Sequence, residues 1–390
     1  MTIDVLMRFP KAMRIGNNVL EDFLVKDIRI CGGKKVLLVT DPGIVKAGLA
    51  KIIMDILEKG GISYDVFSDV EPEPSLETVR ACISFAKTIG ADLFVGLGGG
   101  SAMDVCKATA LCLSDDSDVL DLIGQETVTR PGKPVILIPT TSGSGSEGSP
   151  SIVLSDHSNN TKKAIWSRYV MADCIFVDPV STMGLPARIT GETGVDVLSH
   201  SIEAYVSKRA NSITDMLALE ALRMIGRSLV KAYQNGKDKD ARLDMQKASF
   251  LAGMAFGGAG LGCIHALAYP YTTLFGHPHG RAQGMGMPNV LRFNSVGNEK
   301  RFAEIGEALG VNTDGLTDKE AADKTINSIE QLINSVGIST NLADYEGITP
   351  DRFQEMAEIA ILSNGRLLAT NPRDMTVEQA VEIYQKSYHK

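Results

Sequence analysis

Histidine is scarce in this chain, with six residues in 390, and tryptophan occurs once. Cysteine is sparse too. Cys31, Cys82, Cys106, Cys112, Cys174 and Cys263 stand apart without a CxxC pair, mostly in apolar surroundings, which excludes a thiolate metal knuckle and points to reduced core thiols. No apolar run exceeds strand length, so no membrane-crossing segment is expected. No basic block occurs, and a net charge of −8 with a pI near 5.4 argues against nucleic acid or an anionic membrane as partner. The opening stretch from Met1 to Pro10 lacks a basic flank followed by an apolar core, so no secretory signal is expected and the anticipated location is cytoplasmic.

What is present is the balance of a globular protein, 44% hydrophobic and 22% charged, at a length sufficient for two domains. Half of the few histidines fall in one stretch, Gly262 to Gly280, as His265, His277 and His279. Upstream, Asp196 and His200 are four residues apart and share one face of a helix. Asp196, His200, His265 and His279 together make a candidate four-ligand site. One carboxylate oxygen with three imidazole nitrogens suits a borderline divalent ion, Fe(II) or Zn(II), with room left for a substrate oxygen. The alternative for any one of these histidines alone is an ordinary hydrogen-bonded helix residue.

Along the chain, short β-branched runs alternate with helical patterns. Strands are expected at Lys35–Thr40, Tyr64–Phe67, Asp92–Leu97, Val135–Ile138 and Cys174–Val177, with helices at Ile44–Lys59, Leu76–Ile89 and Ala102–Cys112. This alternation predicts an α/β domain, a mostly parallel sheet with helices on both faces, over residues 1–186. After Leu185-Pro186 the texture changes to a 3.6-residue period, as in Ile213–Tyr233, and an all-helical domain is expected over residues 187–390.

Two loops in the first domain suit a dinucleotide. Gly98, Gly99, Gly100 and Ser101 follow the third strand and open a helix, where backbone N–H groups can approach a pyrophosphate. The Pro139–Glu147 segment, with Thr140, Thr141 and Ser144, repeats that placement after the fourth strand. Asp41, at the tip of the first strand, could hold an adenosine ribose and repel a 2′-phosphate, favouring NAD; it equally fits a plain turn before Pro42.

These motifs in this order (Gly98–Lys107, Pro139–Glu147, Gly194–His200, His265-Ala-x-Ala-x-Pro270, Pro278-His279-Gly280) resemble the iron-containing (group III) alcohol dehydrogenases, of the lactaldehyde reductase and 1,3-propanediol dehydrogenase type. The likeness spans nearly the whole chain. It implies an NAD(H)-linked oxidoreductase for a small alcohol, diol or aldehyde, a catalytic Fe2+ and, frequently, a homodimer. It places Asp196, His200, His265 and His279 on the metal ligands, and Gly99, Gly100, Ser101, Thr140, Thr141, Ser144 and Lys162 on the cofactor contacts.

The departures from the family pattern are specific. A second His usually follows the ligand His by four residues; here it is Tyr269, which becomes the candidate for a proton path, with water and the cofactor ribose as the other routes. A core Tyr with its hydroxyl satisfied is the alternative. His277, beside the ligand pattern, stands with Tyr269 as a candidate catalytic residue but reads as a loop neighbour of the ligands rather than a fifth ligand. Gly148-Ser149 and Gly257-Gly258 replace bulkier residues and are expected to loosen the site. A non-redox enzyme resembling dehydroquinate synthase would need more basic residues near the ligands than Arg281, and a catalytically silent nucleotide-binding protein would not need the ligand quartet.

Overall fold

The computed structural model describes residues 6–157 and 161–389. The chain divides into two compact units, Arg8–Gly184 and Leu185–Lys390, the second including Met7.

In Arg8–Gly184 the main strands are β1 (Ala12–Ile15), β2 (Lys35–Val39), β3 (Ser63–Phe67), β4 (Leu93–Gly98), β6 (Val135–Pro139) and β9 (Cys174–Val177), after which no strand follows among the described residues. They form one sheet, ordered β1-β9-β6-β4-β2-β3, with every pairing parallel. Helices α1 (Val19–Ile30), α2 (Pro42–Lys46), α3 (Leu49–Lys59), α4 (Leu76–Ile89) and α5 (Gly100–Asp115) connect them. Parallel strands covered on both faces must be apolar along their length, and Val36, Leu38, Leu93, Val95, Ile136, Ile138 and Phe176 are buried against Leu20, Leu24, Ile28, Ile53 and Leu57. The chain adds β3 on one side of β2 and then β4 on the other. That reversal opens a crevice at the strands' carboxyl ends, where doubly wound folds bind ligands.

Three features depart from the sequence reading. The helix expected at Ile44–Lys59 is two helices, because Gly48 adopts a left-handed φ of 81° between them. β1 is an added edge strand, paired with β9 alone in this sheet. A small second sheet, β5 (Gly124–Gln125), β7 (Ser151–Asp156) and β8 (Thr161–Trp166), was not legible because its strands are short and β8 begins with exposed polar residues.

Leu185–Lys390 is helical. Its site-bearing members are α6 (Ala187–Val206), α9 (Cys263–Phe275) and α10 (His279–Met285), with α7 (Ser212–Gln234) and α8 (Lys239–Ala259) packed against α6. Small residues set these approaches: a Cβ at Gly194 would meet Leu229 Cδ1 at 2.1 Å. No single helix among the described residues is long and apolar enough to cross a membrane. At Gly258 the expected loosening is not found, because Met7 Sδ fills the position, 2.2 Å from where a Cβ would stand.

Candidate metal centre and cofactor loops

α6 is buried along nearly its whole length, so a carboxylate there must have partners. Asp196 and His200, one turn apart, point the same way, and His200 Nε2 lies 3.6 Å from Asp196 Oδ1. His265, in the first turn of α9, brings Nε2 to 3.9 Å from the same oxygen, and His279, the first residue of α10, brings Nε2 to 3.6 Å. These separations are too long for hydrogen bonds. Donor atoms at ~2.1 Å from one tetrahedral ion stand about 3.4 Å apart, close to these three separations from Asp196 Oδ1. Asp196, His265 and His279 bring their donor atoms within 4.8 Å of one another; His200 stands outside that triad, beside Asp196. Asp196 Oδ1 and His265 Nε2 are moreover buried without any hydrogen-bond partner. Two such atoms facing each other are a costly arrangement for a mere packing cluster and a fitting one for a divalent cation.

The electrostatics differ between the two buried histidines. Burial pushes His200 down to about 4, against the pull of Asp196, so its imidazole is neutral and able to ligate at neutral pH. Burial would raise the Asp196 carboxyl, but His200, His279 and His265 outweigh it and hold the group below its usual range. For His265, burial is outweighed in the other direction, chiefly by Glu203, and its pKa is raised. The His200 and His265 rings stack at 4.9 Å, and Phe256 packs on His200 at 4.6 Å. His279 is the exposed member, its side chain 53% accessible, so the cluster is open on that side.

α10 reaches α6 only because its second residue is glycine. A Cβ at Gly280 would stand 2.2 Å from the Glu192 carbonyl oxygen. Arg281 then ties α10 to the buried Glu192 at 2.7 Å, and Arg188 binds the same carboxylate at 2.9 Å. Neither Glu192 nor Glu203 was singled out from the sequence. Glu203 follows Asp196 by seven residues and His200 by three, a helical spacing that marks the same face.

Tyr269 lies one turn beyond His265 on α9 and is half-buried. His277 packs edge-on against Tyr345 at 5.1 Å, and burial with the nearby Arg281 lowers its pKa.

In the sheet unit, Asp41, Gly98–Ser101 and Thr140–Ser144 follow the neighbouring strands β2, β4 and β6. Side chains at the glycines would meet the other loops: a Cβ at Gly98 would be 3.3 Å from Asp41 Oδ2, at Gly99 3.4 Å from Thr141 Oγ1, and at Gly100 3.0 Å from Ser144 Oγ. Asp41 also caps α2, its Oδ1 accepting from the Ile44 N–H at 3.0 Å, so the turn role is realised while Oδ2 faces Gly98. Lys162, on β8, donates to Ser155 Oγ at 2.9 Å and pairs with Glu73 at 3.0 Å. Beneath the loops, buried Lys107 donates to the Ser146 and Ser151 carbonyls at 3.0 and 2.7 Å and pairs with Asp104 at 2.9 Å. Asp104 in turn accepts from Ser146 Oγ and the Val153 N–H.

A parallel-sheet unit with glycine turns at its strand ends, joined in one chain to a helical unit that gathers Asp and His donors, is the make-up of a metal-dependent dehydrogenase. Family models described as iron-containing alcohol dehydrogenase and as the C-terminal part of the Fe-containing alcohol dehydrogenase family match residues 10–179 and 190–388. Long-chain-alcohol dehydrogenase 1 of Geobacillus thermodenitrificans is 40% identical over 383 residues, 97% of this chain and 96% of that protein. The solved structure of a 1,3-propanediol oxidoreductase superposes with a TM-score of 0.94 at 35% identity, covering 99% of this chain and 100% of its own. Sulfoacetaldehyde reductase from Bifidobacterium kashiwanohense, solved in complex with NAD+, gives 0.88 at 29% identity, covering 99% and 98%. The chain belongs to the iron-containing alcohol dehydrogenase family, and it is an alcohol/aldehyde oxidoreductase.

Proposed function

We propose that Asp196, His200, His265 and His279 hold one Fe(II), or Zn(II) in its place, and that the chain moves a hydride between NAD(H) and a small primary alcohol, diol or aldehyde. The observation that carries this reading is the convergence of Asp196 Oδ1 and three imidazole Nε2 atoms, two of these four atoms buried and unpartnered. The bound ion would supply Lewis acidity toward a substrate oxygen. The chain's residues do the rest. Gly98–Ser101 and Thr140–Ser144 present backbone N–H groups and hydroxyls to a pyrophosphate, with α5 directing its N-terminus the same way. Asp41 Oδ2 favours a ribose diol over a 2′-phosphate. Tyr269 is the proposed hydrogen-bond donor to the substrate side, in place of a family histidine, and His277 the proposed neighbour that shapes the open rim. The similarity to a propanediol oxidoreductase supports a short diol as substrate. Edge strand β1 exposes Met13 and Ile15, 45% and 41% accessible, which suits pairing with a second copy in a homodimer, and the cytoplasm is the proposed location.

The test is His265→Ala and His279→Ala, scored by elemental analysis after Fe(II) or Zn(II) loading and by turnover on a panel of alcohols and aldehydes with NAD(H). Both variants should lose stoichiometric metal and activity while keeping the fold. Full metal content in both would remove these residues from the role.

A further inference from the structure

Glu203 lies at the end of the ligand face of α6, beyond Asp196 and His200, and is buried at 2% accessibility. Its Oε2 is 2.5 Å from His265 Nδ1. Its Oε1 accepts from the backbone N–H groups of Ile264 and His265 at 2.6 and 3.3 Å. These are N–H groups of the first turn of α9, which the N-cap residue Gly262 has no side chain to satisfy. Asn371 Oδ1 takes the remaining one, from Cys263, at 3.0 Å. A Cβ at Gly262 would stand 2.6 Å from Asn371 Oδ1 and 3.2 Å from Glu203 Oε1, so the glycine leaves space for both. One carboxylate therefore fixes the start of α9 and one ring nitrogen of His265, while the other ring nitrogen faces Asp196 Oδ1.

We infer that Glu203 is a positioning residue for the metal centre: it accepts the Nδ1–H of His265, holds the ring in that tautomer, and so keeps a lone pair on Nε2 directed at the site. A neutral imidazole carries one proton. Whichever nitrogen loses it becomes the ligand, and a carboxylate, which can only accept, forces the proton onto Nδ1. Partners of this kind orient a ligand histidine and raise its affinity for metal. The inference rests on the proposed four-ligand site.

Glu203→Gln separates orientation from capping. The amide carbonyl can still accept from Ile264 and His265, but the amide NH2 then faces Nδ1 and favours a lone pair there. The proton moves to Nε2, where it blocks the metal. Zn(II) and Co(II) dissociation constants, measured by competition with a chelator, should rise about 10- to 100-fold, while the melting temperature of the metal-free protein changes little. Nitrogen chemical shifts of His265 in the metal-free protein, followed through a pH titration to the range where the ring is neutral, should report Nδ1–H alone in the wild type and Nε2–H in the variant. Wild-type affinity in a folded Glu203→Gln, or an Nε2–H tautomer in the unmodified protein, would overturn the inference. The second measurement decides the matter even if the variant fails to fold. His265→Ala is the control: if it too binds metal normally, the ligand assignment fails, whereas loss in His265→Ala with normal Glu203→Gln affinity sinks the Glu203 role alone.

Discussion

Gly280 is required by space, not by backbone conformation. Its place in α10 would normally favour alanine, which stabilises helix interiors by roughly 0.5–1 kcal/mol over glycine. A Cβ there meets the Glu192 carbonyl oxygen at 2.2 Å, and that backbone cannot swing aside as a side chain would. Gly280→Ala should therefore push α10 off α6 and carry His279 away from Asp196. Metal affinity and turnover should fall at least tenfold although the substitution raises intrinsic helix propensity; unchanged metal content would show that α10 can shift without cost. Tyr269 is a question of one oxygen. Phe keeps the ring, so Tyr269→Phe should leave metal content and NAD(H) affinity alone, and if the hydroxyl serves the proton path turnover should drop ~100-fold. A loss smaller than about threefold, measured by steady-state kinetics, would make it a packing residue.

At the scale of elements, legibility followed how local the cause was. α4 was read from its 3.6-residue period at the bounds the structure shows, Leu76–Ile89, because its capping Ser75 and the left-handed Gly90 both lie next to it in sequence. The Gly98–Gly100 turn was legible because a strand, three glycines and a helix are contiguous. Glu203 was not, since its partner His265 is on another helix and only the fold joins them. Gly258 was misread for a similar reason: the residue that fills it, Met7, comes from the other end of the chain. Asp104 and Lys107 lie inside the Gly98–Lys107 motif, whose sequence alone shows no task for them; the structure has them pin the Ser146–Val153 segment from beneath. That gives a prediction at this scale. Lys107 is 1% accessible, and Lys107→Met would leave Asp104 buried without its cation, a loss of about 3–5 kcal/mol for a broken buried pair. Chemical denaturation should show that drop, and NAD(H) affinity should weaken with it as the Thr140–Ser144 loop loses its support. A stability change below ~1 kcal/mol would mean that Asp104 is held adequately by Ser146 and the Val153 N–H.

For the whole molecule, the four proposed ligands come from three helices, α6, α9 and α10, so a bound ion would act as a cross-link within Leu185–Lys390. In the metal-free state the cost is built in: Asp196 and three imidazoles are crowded together, His200 with its pKa pushed down to about 4 by burial. An ion that binds the folded chain and not the unfolded one stabilises it by RT ln(1 + [L]/Kd), about 4 kcal/mol when free metal is a thousandfold above Kd. For a unit of this size that is a rise in melting temperature on the order of 10 °C. Removing metal with a strong chelator should lower the transition by that amount, and adding back Fe(II) anaerobically, or Zn(II), should restore it. The same titration on His265→Ala should produce almost no shift, because the cross-link has lost its α9 arm. Calorimetry that finds equal melting temperatures with and without metal in the unmodified protein would mean that the donors do not hold an ion tightly, and the four-ligand centre would have to be abandoned.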